Sequence, residues 1–144
     1  MNRLIYSLAF IVAVTAGTPT FAQQTGQLRV EFQGPGGHSS GAYGRVSALH
    51  AAARAVILIQ QALPAGSYQI TNLTGGNSVN AIASDGLIEL KLTAGNDAAY
   101  QALVDAVTKA AAEGAAAENA FRGVKAGDLT SGAPATVRSV VKPF

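Results

Sequence analysis

Two histidines, His38 and His50, are the residues best suited to handle a proton or a metal at neutral pH in this 144-residue chain. His38 lies in the run Gly34-Pro35-Gly36-Gly37-His38-Ser39-Ser40-Gly41, and His50 lies in an Ala-rich segment. A catalytic zinc takes three protein ligands. The chain has no His-x-x-Glu-His, no His-x-Asp and no adjacent Glu pair, so it spells no zinc site of its own. His50 reads as an ordinary helix or interface residue. His38 is the better functional candidate, because loops on rigid scaffolds carry sites. The Gly-rich run also has the position of a phosphate cradle. Ala42 stands where a P-loop needs Lys, and Ser39 breaks the dinucleotide fingerprint, so both nucleotide patterns fail. No serine is assigned as a nucleophile, since no Ser-His-Asp set follows from their order. The four Asp and four Glu read as solvated surface charges.

These residues need elements to hold them. Gln27–Gln33 alternates, with Leu28, Val30 and Phe32 on one face, which predicts a half-buried strand. Gly44–Leu63 has helical period, with a stripe of Val46, Leu49, Ala53, Val56, Ile57 and Gln60. Pro64-Ala65-Gly66 stops it. Ser67–Thr74 reads as a second strand, with Tyr68, Ile70 and Asn72 on one face and Leu73 on the other. A loop runs from Gly75 through Asn80. Leu87–Leu92 is a third strand, with Ile88, Leu90 and Leu92 inward. Asn96 or Asp97 caps a second helix from Ala98 to about Asn119, whose stripe is Tyr100, Leu103, Val107, Ala110 or Ala111, and Gly114. Thr136–Val141 is the last strand, ended by Pro143. The order β-α-β-β-α-β is the ferredoxin-like, α+β arrangement, a four-stranded antiparallel sheet with two helices on one face.

Composition narrows the function classes. Ten Lys and Arg against eight Asp and Glu give a charge of +2, too little for a nucleic-acid binder. The absence of Cys excludes disulfides, iron–sulfur clusters and a thiol nucleophile. Apolar residues make up 49% of the chain, which argues against disorder. Residues 1–22 have the order of a secretory signal: basic Met1-Asn2-Arg3, an apolar stretch from Leu4 to Ala16, and small residues before a cut after Ala22. That apolar stretch is short of the roughly 20 residues that span a bilayer. Residues 23–144 are therefore expected as one domain, periplasmic or secreted, with no membrane attachment after cleavage.

Two segments together resemble a known family. Gly36-Gly37-His38-Ser39-Ser40 follows a strand and precedes a long amphipathic helix, and Gly75-Gly76-Asn77-Ser78-Val79-Asn80-Ala81-Ile82-Ala83 follows the second strand. This pairing resembles the dimerisation, or lid, domain of the M20 metallopeptidases, especially the peptidase T-like and aminoacylase-like branches. The resemblance implies that His38 is the lid histidine that reaches a partner subunit's active site and stabilises an oxyanion there. It implies that Asn80 contacts substrate beside Gly36 and Gly37. The family's Asp-x-Arg at the end of the third strand, whose Arg binds the substrate carboxylate, is replaced by Lys91 and Thr93. The family's metal ligands lie in a separate catalytic domain and have no counterpart here. The chain is thus not expected to hydrolyse a peptide bond by itself, and zinc enters only if a partner's catalytic domain supplies it.

Four functions compete. The first is a secreted, non-catalytic module that homodimerises through an edge strand and the first helix. The second is a lid subunit acting in trans, lending His38 and Asn80 to a separately encoded M20 zinc peptidase. The third is a truncated peptidase remnant, and the fourth is a small-ligand-binding module.

Overall fold

A computed structural model describes residues 23–144. The proposed signal segment, 1–22, lies outside the described residues. Two strands follow the alternation of their apolar residues. β1 (Gln24–Gln33) buries Leu28, Val30 and Phe32, and β5 (Asp85–Ala94) buries Ile88, Leu90 and Leu92. β3 (Tyr68–Thr74) lies beside β5. With β8 (Arg138–Pro143) they form one sheet in the order β3-β5-β1-β8, every pair antiparallel. The helices α2 (Ala48–Ala62) and α3 (Asp97–Phe121) pack on each other and on this sheet. The α+β, ferredoxin-like order therefore holds. Smaller pieces decorate it: β2 (Gly37–His38), α1 (Ser39–Ala42), β4 (Ala81–Ile82), and the hairpin β6 (Leu129–Thr130) with β7 (Ala133–Pro134).

The α3 stripe is the expected one: Leu103, Val107, Ala110, Ala111 and Gly114 are buried, and Asn96 caps the helix by accepting from the Ala99 N–H at 2.9 Å. α2 differs from expectation in two ways. It begins at Ala48 rather than Gly44, because Gly44 has a φ of +89° and cannot belong to a right-handed helix. Ser47 supplies the cap instead, its Oγ accepting from the His50 N–H at 3.3 Å. Its buried face is Ala48, Ala51, Ala52, Ala55 and Ile59, whereas Ile57 and Gln60 of the expected stripe are exposed. Small side chains win the inner face because the helices approach closely. A methyl group on Gly114 would sit 2.8 Å from the Ala51 carbonyl oxygen and the Ala55 Cβ.

Two strands are also corrected. A bulge between Ile70 and Asn72 breaks the alternation in β3. Asn72 is thereby brought opposite Glu89 on the open face, and Leu73 returns opposite Ile88 on the helix face, the reverse of expectation. β8 starts at Arg138, two residues late. The Asn119 side chain takes both backbone groups of Val137, accepting its N–H at 2.8 Å and donating to its carbonyl at 2.9 Å. Pro143 ends the strand at the sheet edge, where a missing N–H is tolerated. Among the described residues no helix is long and apolar enough to cross a membrane.

Candidate functional site

The two Gly-rich loops meet. β2 pairs with β4, placing His38 opposite Ala81, and the Ser39 N–H donates to the Asn80 carbonyl at 2.9 Å. Gly36 and Gly37 make this turn possible. Their φ values are +61° and +142°. A Cβ would lie 2.7 Å from Ser84 Cβ at Gly36 and 2.6 Å from Ala42 Cβ at Gly37. Backbone geometry and packing alone thus account for glycine at both positions. Arg45 braces the turn by donating from Nη1 to the Gly36 carbonyl at 3.2 Å.

His38 and Asn80, 42 positions apart in the chain, come into side-chain contact: Asn80 Nδ2 lies 3.1 Å from His38 Nε2. His38 Nδ1 lies 2.8 Å from Ser40 Oγ and 3.2 Å from the Ser40 N–H, which makes His38 the cap of α1. Ser39 and Ser40 are the first helical residues of α1. If Asn80 donates to Nε2, the ring proton sits on Nδ1 and is donated to Ser40 Oγ, at the expense of the cap bond from the Ser40 N–H. With the Asn80 amide turned over, Nε2–H donates to Oδ1 and Nδ1 accepts from the Ser40 N–H, which keeps the cap. Ser78 is hydrogen-bonded to Asn80 and fixes its loop. Both His38 and Asn80 are solvent-exposed, as are Tyr43 and Val79 on the same two loops. Such a pair can donate hydrogen bonds to an oxygen brought to it from outside.

Gly37, Ser39 and Gly41 do have the spacing of a nucleophile elbow, which the assignment of no serine nucleophile passed over. The imidazole, however, turns to Ser40 and Asn80, and Ser39 has no side-chain bond to a base. Lys91 and Thr93 are not brought to this site. They pair with Gln27 and Thr25, six and eight residues beyond Asp85 along β5. That is roughly 20–27 Å at strand rise. Among the described residues no three His, Asp or Glu side chains converge, so the residues present do not fit a zinc site.

Glu118 overturns the expectation of solvated acids. It is fully buried at the start of α2. Its Oε1 accepts from the Ser47 N–H at 3.1 Å and from Arg122 Nε at 3.3 Å, and its Oε2 accepts from Arg54 Nε at 3.1 Å. His50 Nδ1 stands 3.8 Å away. Arg54 and Arg122 also stack on Phe121, each 5.0 Å from the ring centroid. The sequence carried a weak signal: Glu118 and Arg122 have the i, i+4 spacing of a helix ion pair, and Glu118 lies on the helix face begun by Ala111 and Ala115. Glu89, on the open face, accepts from Arg29 Nη2 at 2.7 Å and from Asn72 at 3.3 Å. Those bonds, Arg29 first, hold its carboxyl below the ordinary value of 4.5 despite partial burial.

Comparison with known proteins agrees with this fold. The model of the M20 peptidase dimerisation domain matches residues 24–119. Among solved structures, the chain resembles an aminobenzoyl-glutamate utilization protein from Klebsiella pneumoniae, with a TM-score of 0.61 and 17% identity over 88% of this chain and 31% of that one. A tripeptidase from Staphylococcus aureus matches with a TM-score of 0.60 and 16% identity, over 84% of this chain and 29% of that one. A hydantoinase/carbamoylase family amidase from Burkholderia ambifaria matches with a TM-score of 0.62 and 21% identity, over 87% of this chain and 28% of that one. The chain thus spans less than a third of the length of each of these proteins. No curated protein matches. With the family model covering two thirds of the chain on a matching fold, this protein belongs to the peptidase dimerisation domain family of the M20 peptidases.

Proposed function

We propose that the chain is a non-catalytic, self-associating module that pairs through the β3 edge and the adjoining face of α2. One observation carries this reading. α2 has a second apolar stripe, Leu49, Ala53, Val56 and Ile57, on the side turned away from the α3-facing Ala51 and Ala55. Ile57 is 56% exposed. A lone helix facing water has no use for such a stripe. The choice of edge follows from chemistry. β8 carries Arg138, Lys142 and Pro143, residues that blunt an edge. β3 (Tyr-Gln-Ile-Thr-Asn-Leu-Thr) carries neither charge nor proline. Two β3 strands related by a two-fold axis would extend the sheet, with the α2 stripes meeting above it. Ile57→Glu tests this. Each substitution counts twice in a symmetric interface, and dissociation should strengthen more than tenfold. An unchanged dimer would remove the proposal. Export remains part of it, on the strength of residues 1–22.

A second reading has its own support. His38 and Asn80 are assembled and exposed, as a lid acting in trans on a zinc peptidase would require. The test is His38→Ala in a co-expressed complex with such a peptidase. Turnover should fall at least a hundredfold if His38 stabilises an oxyanion. Unchanged turnover would leave the self-associating module alone.

A further inference from the structure

Next to the His38–Asn80 pair lies an open cleft of about 450 Å3, lined by Arg45, His50, Arg122 and the segment 75–79. Neither His38 nor Asn80 lines it, and no acidic side chain does. Glu118 lies buried beneath, its oxygens already engaged by Ser47, Arg54 and Arg122. Three guanidiniums against one carboxylate leave two positive charges in this corner, as many as the whole chain carries. Arg45 donates one N–H to Gly36 and Arg122 donates its Nε to Glu118. A guanidinium has five N–H donors, and the Nη groups of Arg122 have no acceptor among the described residues. Two guanidiniums with unspent donors, a titratable ring and no nearby free carboxylate are a recognition set for an oxyanion. The volume suits a small molecule rather than a protein segment.

We propose that this cleft binds a small oxyanion-bearing ligand, its carboxylate or phosphate group held between Arg45 and Arg122. Val79 and Ala81, which flank Asn80, line the same cleft. A ligand seated there touches the loop that presents Asn80 to His38.

The test is a 1H–15N correlation titration of the labelled protein with sodium phosphate and, separately, sodium acetate, each against sodium chloride at matched ionic strength. Saturable shifts are expected at the amides of Gly75, Gly76 and Ser78 and at Arg122 Nε, with a dissociation constant of about 1 mM. Tighter binding of phosphate assigns a phosphate ligand, and tighter binding of acetate assigns a carboxylate. Arg45→Gln weakens binding about tenfold. Glu118→Gln, which removes the competing charge and keeps an acceptor, tightens it several-fold. Shifts that merely track ionic strength, saturable shifts centred on His38 and Asn80, or unchanged affinity in folded Arg45→Gln overturn the proposal. The wild-type map decides the matter even if a variant fails to fold.

Discussion

Replacing Glu118 with Ala should cost this domain about 3–5 kcal/mol. The largest part is the Ser47 N–H, whose buried donor loses its acceptor and carries a desolvation penalty of about 1–3 kcal/mol. A smaller part is the space left by the carboxyl and its methylene, about 1 kcal/mol. The arginines contribute least. The side chains of Arg54 and Arg122 are 37% and 24% exposed, so each recovers hydration, and the loss is about 0.5 kcal/mol apiece. The total falls within the range for breaking a buried pair. It corresponds to a fall in Tm of about 10–20 °C for a domain of this size. Glu118→Gln keeps an acceptor for Ser47 and should cost about half as much. Urea unfolding followed by circular dichroism at 222 nm reads both. A loss below 1 kcal/mol for Ala, or a Gln variant as damaged as the Ala variant, would refute the reasoning.

Three further outcomes follow from the same geometry. Gly114→Ala gains about 1 kcal/mol in helix propensity but must push α2 and α3 apart, for a net loss of about 1–2 kcal/mol; a stabilised variant in thermal melts would contradict the close helix contact. The Arg29–Glu89 pair holds the folded carboxyl below 4.5, so its contribution is complete above that value and fades as pH falls through the lower folded value. Urea midpoints from pH 6 to pH 3 should therefore fall less steeply in Glu89→Gln than in wild type. Asn80→Ala frees His38 Nε2, and the 15N shifts of the imidazole should reveal a changed tautomer ratio; an identical spectrum would mean that the two side chains do not meet in solution.

Much of the scaffold was legible because its signals are local. Leu28, Val30 and Phe32 alternate, Asn96 caps, and the α3 stripe has period 3.6, so each predicts its element from a few neighbours. What the sequence hid is three-dimensional. Helical period fits both sides of α2, and only the closeness of Gly114 decides that the alanines turn inward and the larger aliphatics outward. The β3 bulge adds one residue without a composition signal, and it exchanges the faces of Asn72 and Leu73. The site was half legible. His38 and Asn80 were picked out through the two Gly-rich segments, but their contact depends on the β2–β4 ladder, too short to read from a pattern. Arg45, Arg54 and Arg122 are dispersed along the chain, so no basic run announced the cleft, and Glu118 looked like any surface acid of an Ala-rich helix.

The central claim, that this chain pairs with itself through the β3 side, is tested most directly by sedimentation velocity across micromolar concentrations. Wild type should sediment at twice the monomer mass. Ile57→Glu should sediment as a monomer. Val140→Glu, an equally drastic change at a 53% exposed residue on the opposite edge strand, should remain a dimer. A monomeric wild type, or a dimer broken by Val140→Glu and not by Ile57→Glu, would contradict the account.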